Sequence, residues 1–166
     1  MLVERPTMLC LGGEEAFEAY RKEFARLYRS GTVFDVLGRR VFFPVNAAQH
    51  VCFKTREEDP YRRLKREVWA QERAERIPWI LTALQHPDEI RPDHKEPGRH
   101  ACLLTIVSAP TEGLPQEYYG VFVSVEGLGL VTFLTAFPMD GPYWRDARRS
   151  GPRLYPPPQP KKPKKR

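Results

Sequence analysis

The chain has 166 residues, 41% hydrophobic and 11% aromatic, which fits a single domain with its own core. Its net charge of +6 gathers at one end: six of the 27 basic residues lie within 153–166 with no acid among them, leaving 21 basic against 21 acidic residues for 1–152. The pI of about 9.4 therefore describes the C-terminal segment, and excludes a folded part that is one extended basic surface.

From the N-terminus, MLVERPTMLCLGG carries Glu4 early and no apolar run long enough for a secretion signal. Residues 14–29 predict an amphipathic helix, because Phe17, Tyr20, Phe24, Leu27 and Tyr28 recur at three- and four-residue steps. Glu14 and Glu15 suit its N-terminal end and Gly31 is placed to stop it. TVFDVLGRRVFFPV then predicts a hairpin turning at Gly38-Arg39, with Pro44 ending the second strand. Residues 60–85 predict helix, broken near Arg76 by Pro78 and resumed as PWILTALQ until His86-Pro87-Asp88. HACLLTIVS, YYGVFVSVEG and LGLVTFLTAF are three strand candidates with short connections, favouring an antiparallel meander. Tyr119, Val121, Val123 and Val125 alternate with less apolar neighbours, as on a half-buried strand.

This order contains no strand–helix–strand alternation. The expected class is α+β: N-terminal helices packed on a mostly antiparallel four- to five-stranded sheet. The expected organisation is an N-terminal helical segment over 1–31, the rest of the domain over 32–150, and a disordered basic tail over 151–166. That tail, ending PPPQPKKPKKR, lacks the apolar residues to fold by itself. Cys10, Cys52 and Cys102 are odd in number and lack CxxC spacing, which speaks against a disulfide framework and for a reducing compartment. No stretch approaches the ~20 apolar residues that span a bilayer. The expectation is a soluble, cytoplasmic protein with no membrane partner.

No phosphate-cradling GxxxxGK[ST], GxGxxG or GxSxG motif is present, and Gly12-Gly13 is too little for a phosphate loop; no cofactor is expected. His50-Val-Cys52 and His100-Ala-Cys102 would offer zinc two His and two Cys if each pair shared a strand face. The alternative is that both cysteines are small buried apolar residues, and no metal site is assigned. His50 follows the hairpin with Lys54 and Arg56 close behind. On a helix, His50 and Lys54 would share a face, an imidazole beside a fixed cation suited to acid–base work on a phosphodiester. The alternative there is a solvated His at a helix start. Arg73, Glu75 and Arg76 sit at the expected helix break, and Arg76 precedes apolar Ile77, so its guanidinium would be held near a cleft. Thr135 would share its face with Val131, Phe133 and Phe137, where a hydroxyl needs a partner.

His50 after a hairpin, the segment ERAERIPWILTALQHPDEI and a final strand ending FLTAF together resemble the phage-associated branch of the barnase/EndoU/colicin/RelE-like (BECR) nuclease superfamily. The resemblance covers about Thr32 to Asp140. Its most specific elements are Arg76-Ile77 with Trp79, Pro87-Asp88-Glu89-Ile90, and Thr135-Ala136-Phe137. It implies helices leading into a four-stranded antiparallel sheet, and metal-independent RNA cleavage by 2′-OH transesterification. By position it makes His50 the acid or base, Lys54 and Arg76 phosphate ligands, and Thr135 an orienting group. Tyr119 would stack a base and Arg73 would assist substrate binding. It also implies RNA as substrate and a cognate immunity or antitoxin protein as partner. The competing expectation is a non-catalytic nucleic-acid- or protein-binding module on the same fold.

Overall fold

The computed structural model describes residues 6–55, 67–93, 96, 98–106 and 117–157. A 3-10 turn at Glu14–Ala16 leads into α1, Phe17–Tyr28. Tyr20, Phe24 and Tyr28, each four residues after the last, are its buried stripe. A hairpin follows, β1 (Val33–Phe34) and β2 (Arg40–Phe42). Its loop is organised by Asp35, whose carboxylate accepts from Leu37 N and Arg39 N at 3.0 and 2.9 Å. Gly38 supplies the left-handed position at φ +74°. Then come α2 (Ala47–Cys52), the short pair β3 (Phe53–Thr55) and β4 (Glu67–Trp69), α3 (Gln71–Ala74) and α4 (Trp79–Gln85). The last part is β5 (Glu89–Pro92), β6 (Arg99–Ile106), β7 (Glu117–Glu126), β8 (Leu130–Met139) and α5 (Gly141–Arg149).

The class is α+β. The main sheet has six strands in the order β1-β2-β8-β7-β6-β5, so the expected count of four to five is too low. The expected meander forms β6 to β8, and β5 extends it antiparallel at one edge. At the other end β2 joins β8 in parallel, with Val41 opposite Val131. No local signal announces that pairing, because its two strands lie some ninety residues apart.

Helices cover both faces, not one. The larger core sets Tyr20, Phe24 and Tyr28 of α1, Ala48 and Val51 of α2, and Ile80 and Leu84 of α4 against one face of the sheet. Phe43 stacks on Tyr28 and on Phe133, ring centroids 5.0 Å apart in each case. On the opposite face α5 buries Trp144 and Ala147 against Ala101, Leu103, Phe122 and Met139. Its start is capped by Asp140, which accepts from Tyr143 N at 2.7 Å, and Arg148 and Arg149 occupy its last turn. Because both faces are covered, residues 119–123 of central β7 are buried without alternation; the half-buried expectation fails there.

Three further expectations change. Residues 67–69 are strand rather than helix, and helix begins only at Gln71; residues 60–66 of the expected helix lie outside those described. A bulge opposite Phe122/Val123 leaves Leu134 between the pairs Val123–Phe133 and Phe122–Thr135. It separates Val131 and Phe133 of the larger core from Phe137 on the α5 side, so Thr135 does not share a face with all three. Finally, Gly151–Tyr155, assigned to the tail by composition, lie against edge strand β5. Ile90 exchanges backbone hydrogen bonds with Tyr155, Ser150 Oγ donates to Pro92 O at 2.8 Å, and Arg91 Nη1 donates to Gly151 O at 3.0 Å. An edge strand is left with unpaired backbone groups, and this segment satisfies part of them. Residues 158–166 lie outside those described.

Candidate functional site

β2 stops at Phe42, opposite Thr132, so among the described residues β8 beyond that point has no strand on the side away from β7. α2 and α3 lie against it instead. α2 is short but strongly amphipathic: Ala47, Ala48, Val51 and Cys52 are buried, while Gln49 and His50 face outward. The His50 carbonyl accepts from Thr135 Oγ1 at 3.2 Å, which ties α2 to β8 and gives the Thr135 hydroxyl its partner. His50 and Thr135, 85 residues apart in sequence, thus meet through the His50 backbone.

Lys54 is placed differently. α2 ends at Cys52, Phe53 is extended (φ −122°, ψ 146°), and Lys54 sits on β3 opposite Val68. The helical His50–Lys54 face does not form, because the chain turns to strand between them. Lys54 Nζ pairs instead with Glu72 Oε1 of α3 at 3.3 Å, both side chains about half exposed.

Arg76 lies in the turn between α3 and α4. Its Nη1 donates to Glu72 O at 2.8 Å and its Nη2 to Glu117 Oε1 at 2.9 Å, and the guanidinium lies 4.9 Å from the Trp79 ring centre. Its side chain is 13% exposed. The guanidinium is thus mostly buried and held by a carboxylate already in place.

Tyr119 is fully buried, so base stacking is physically closed to it. Its hydroxyl donates to Arg76 O at 3.3 Å, its ring meets Trp79 edge-on at 5.5 Å, and burial drives its pKa well above the ordinary value. It braces Arg76 from beneath. Arg73 lies over the Phe137 ring at 4.8 Å, and among the described residues its guanidinium makes no hydrogen bond. Burial lowers its pKa, opposed by the nearby charge of Glu72, yet a guanidinium stays protonated throughout the working range.

Lys54, Glu72, Arg76 and Glu117 therefore form a connected charge network over α3 and β7, with Arg73 beside it and His50 and Thr135 two positions along β8 from Phe137. Cations, carboxylates and an exposed imidazole on neighbouring elements are the residue types that bind a phosphate and move a proton. Sequence reasoning missed Glu72 and Glu117. Glu72 sits four residues before Arg76, but that spacing signals a carboxylate–Arg76 pair. Its carboxylate instead holds Lys54, and only its carbonyl meets Arg76. Glu117 carried no signal, since it comes from another strand.

The two His-x-Cys pairs do not assemble. His50 faces outward while Cys52 beside it on α2 is fully buried, because residues two apart on a helix diverge. Burial pushes the Cys52 and Cys102 thiols up to about 12, away from the thiolate that binds zinc. His100 Nδ1 faces Arg39 Nη1 at 3.4 Å. Among the described residues no three His, Cys, Asp or Glu side chains gather to hold a metal ion. No helix among them is long and apolar enough to cross a membrane. Compared with models of protein families, with curated proteins and with solved structures, the chain matches none.

Proposed function

We propose that this protein is a metal-independent endoribonuclease of the toxin or phage-defence type, related to the phage-associated branch of the BECR superfamily, with its site at the β8 edge. The observation that carries this reading is the Thr135–His50 contact, which anchors α2, with His50 exposed, to the same strand whose Phe137 ring Arg73 covers. In the reaction the ribose 2′-oxygen bonds to its own phosphorus and gives up its proton, the bond to the 5′-oxygen breaks, and that oxygen takes a proton as it leaves. A 2′,3′-cyclic phosphate results. His50 carries a proton in this scheme, and Thr135 positions it through its carbonyl. Arg73 is the phosphate ligand, because among the described residues no carboxylate hydrogen-bonds it, whereas Arg76 and Lys54 are paired with Glu117 and Glu72. Glu72, half exposed beside Lys54, is the carboxylate available as the second proton group. A cognate immunity or antitoxin protein would cover the same edge.

The test is total RNA incubated with the protein in EDTA, followed by mapping of the product ends. Cyclic phosphate ends, lost in His50→Ala with the circular dichroism spectrum unchanged, support the reading. Full activity in His50→Ala removes His50 from the mechanism.

A second reading is a non-catalytic nucleic-acid- or protein-binding module. It is favoured by one observation: Lys54 and Arg76 are already neutralised by Glu72 and Glu117. Intact RNA in the same experiment, with salt-dependent binding lost on deletion of 153–166, selects this module over the nuclease.

A further inference from the structure

One part of the sheet is covered by no described helix. On the α5 side, Trp144 and Ala147 shield the β6–β7 half. The remainder of that face belongs to β1, β2 and the first half of β8, and it carries Phe34, Arg40, Phe42, Leu130 and Thr132. The register places them together: Phe34 lies opposite Arg40 and Phe42 opposite Thr132, while the intervening Val33, Val41 and Val131 are buried in the larger core. Phe34 is 49% exposed, Phe42 57% and Leu130 55%, large values for apolar side chains of this size.

Phe34 and Phe42 are diagonal neighbours across the β1–β2 pair, a relation of about 7–8 Å, with Arg40 between them. Beside them, where the end of α1 meets β2, a cleft of about 160 Å³ is lined by Arg29, Gly31, Arg40 and Phe42, among others. Among the described residues neither Arg29 nor Arg40 has a carboxylate partner. This sets them apart from Arg21 and Arg26 on the same helix, which Glu18 and Glu23 hold.

We infer that this hairpin face is a platform for single-stranded RNA, with bases stacking on Phe34 and Phe42 and phosphates meeting Arg29 and Arg40. It rests on the nuclease reading only for the choice of RNA as the strand, and it is separate from the β8 edge. Flat exposed rings with flanking guanidinium groups are the features that bind unpaired bases and their backbone. Two alternatives fit less well. The centre of a protein interface is depleted of charge, whereas Arg40 stands in the middle of this patch. The basic C-terminal segment would be repelled by the same two arginines. Glu126, opposite Leu130, marks the far end of the face, where the path of a polyanion would stop.

The test measures anisotropy of labelled oligouridylate and oligothymidylate on the full chain in EDTA, in a His50→Ala background so that cleavage does not intrude. Phe34→Ala with Phe42→Ala should weaken binding about thirtyfold or more, the loss of two stacked bases. Phe42→Trp should retain native affinity. Arg29→Ala with Arg40→Ala should reduce the slope of log affinity against log salt by about 1.4, two phosphate contacts on a single strand. Unchanged affinity in the double Phe variant overturns the platform. So does a native dimer that this variant dissociates while oligonucleotide binding persists, which would make the face a contact between copies. Oligonucleotide binding that depends on the two rings, without cyclic phosphate products from the native chain, removes the nuclease reading and leaves the platform standing.

Discussion

Arg76 donates to Glu117 Oε1 at 2.9 Å, joining the turn between α3 and α4 to the first residue of β7 across 41 positions of sequence. The guanidinium is mostly buried and its Nε finds no partner among the described residues. Glu117→Gln should therefore lower stability by about 1–3 kcal/mol, read as a shift in the urea midpoint, because it leaves a buried charge without its counter-ion. Combining it with Arg76→Met should return part of that loss. A single-variant change within about 0.5 kcal/mol, the ordinary surface range, would show that water screens the pair.

Glu89 anchors α5 to β5. Its carboxylate accepts from Arg91 Nε at 2.9 Å and from Arg148 Nη2 at 2.7 Å. Burial raises its pKa, but the hydrogen bonds from Arg148 and Arg91 outweigh burial, and the net shift is downward. A carboxyl depressed in the fold contributes stability that is complete above its unfolded value, about 4.3, and is lost as pH falls through the folded value. Urea midpoints should decline below about pH 4 in the native protein, and Glu89→Gln should start lower and show a shallower acid limb. An unaltered acid limb in the variant would place the acid sensitivity elsewhere.

His100 adds a loss in the same direction, at higher pH, because the fold disfavours its charged form. Burial first, and then the Arg39 charge, lower its pKa, with Asp35 opposing. The unfolded chain thus binds its proton before the folded one does. Stability should be complete above about pH 6.5 and should fall as pH drops from there toward the folded value. His100→Gln should flatten this slope between about pH 6.5 and 5, seen in urea midpoints at closely spaced pH. A slope that persists in the variant would count against His100 as its source.

Adjacent residues Phe42 and Phe43 should differ sharply. Phe43 is 4% exposed and stacks between Tyr28 and Phe133, so Phe43→Ala should cost about 3–5 kcal/mol. Phe42 points to the uncovered face, and Phe42→Ala should stay within about 0.5 kcal/mol. Thermal melts of the two variants measure the contrast. Equal losses would mean that Phe42 is covered in solution.

Elements formed by neighbouring residues were legible in advance. The 17–28 helix, the hairpin around Gly38, the short helix after Pro78 and the three meander strands each carry their signal within a few residues. α5 is equally legible, since Asp140 ahead of Gly141-Pro142 is an N-terminal cap signature. Glu67–Trp69 misled, because their place depends on β3 as partner and not on local propensity. At the candidate site, His50, Arg73 and Arg76 stood out by residue type. The burial of Tyr119 and the pairing of Lys54 with Glu72 did not.

The sequence by itself determined the α+β class, the segregation of net charge into 153–166 and the residue types from which a site could be built. Only the tertiary structure decided that Gly151–Tyr155 dock on β5, that Thr135 hydrogen-bonds the α2 backbone, and that glutamates occupy Lys54 and Arg76. Helix and strand signals arise from side chains a few positions apart, which any short segment displays. The contacts that set the candidate site, Lys54 to Glu72 across 18 residues and His50 to Thr135 across 85, do not exist until the chain is folded.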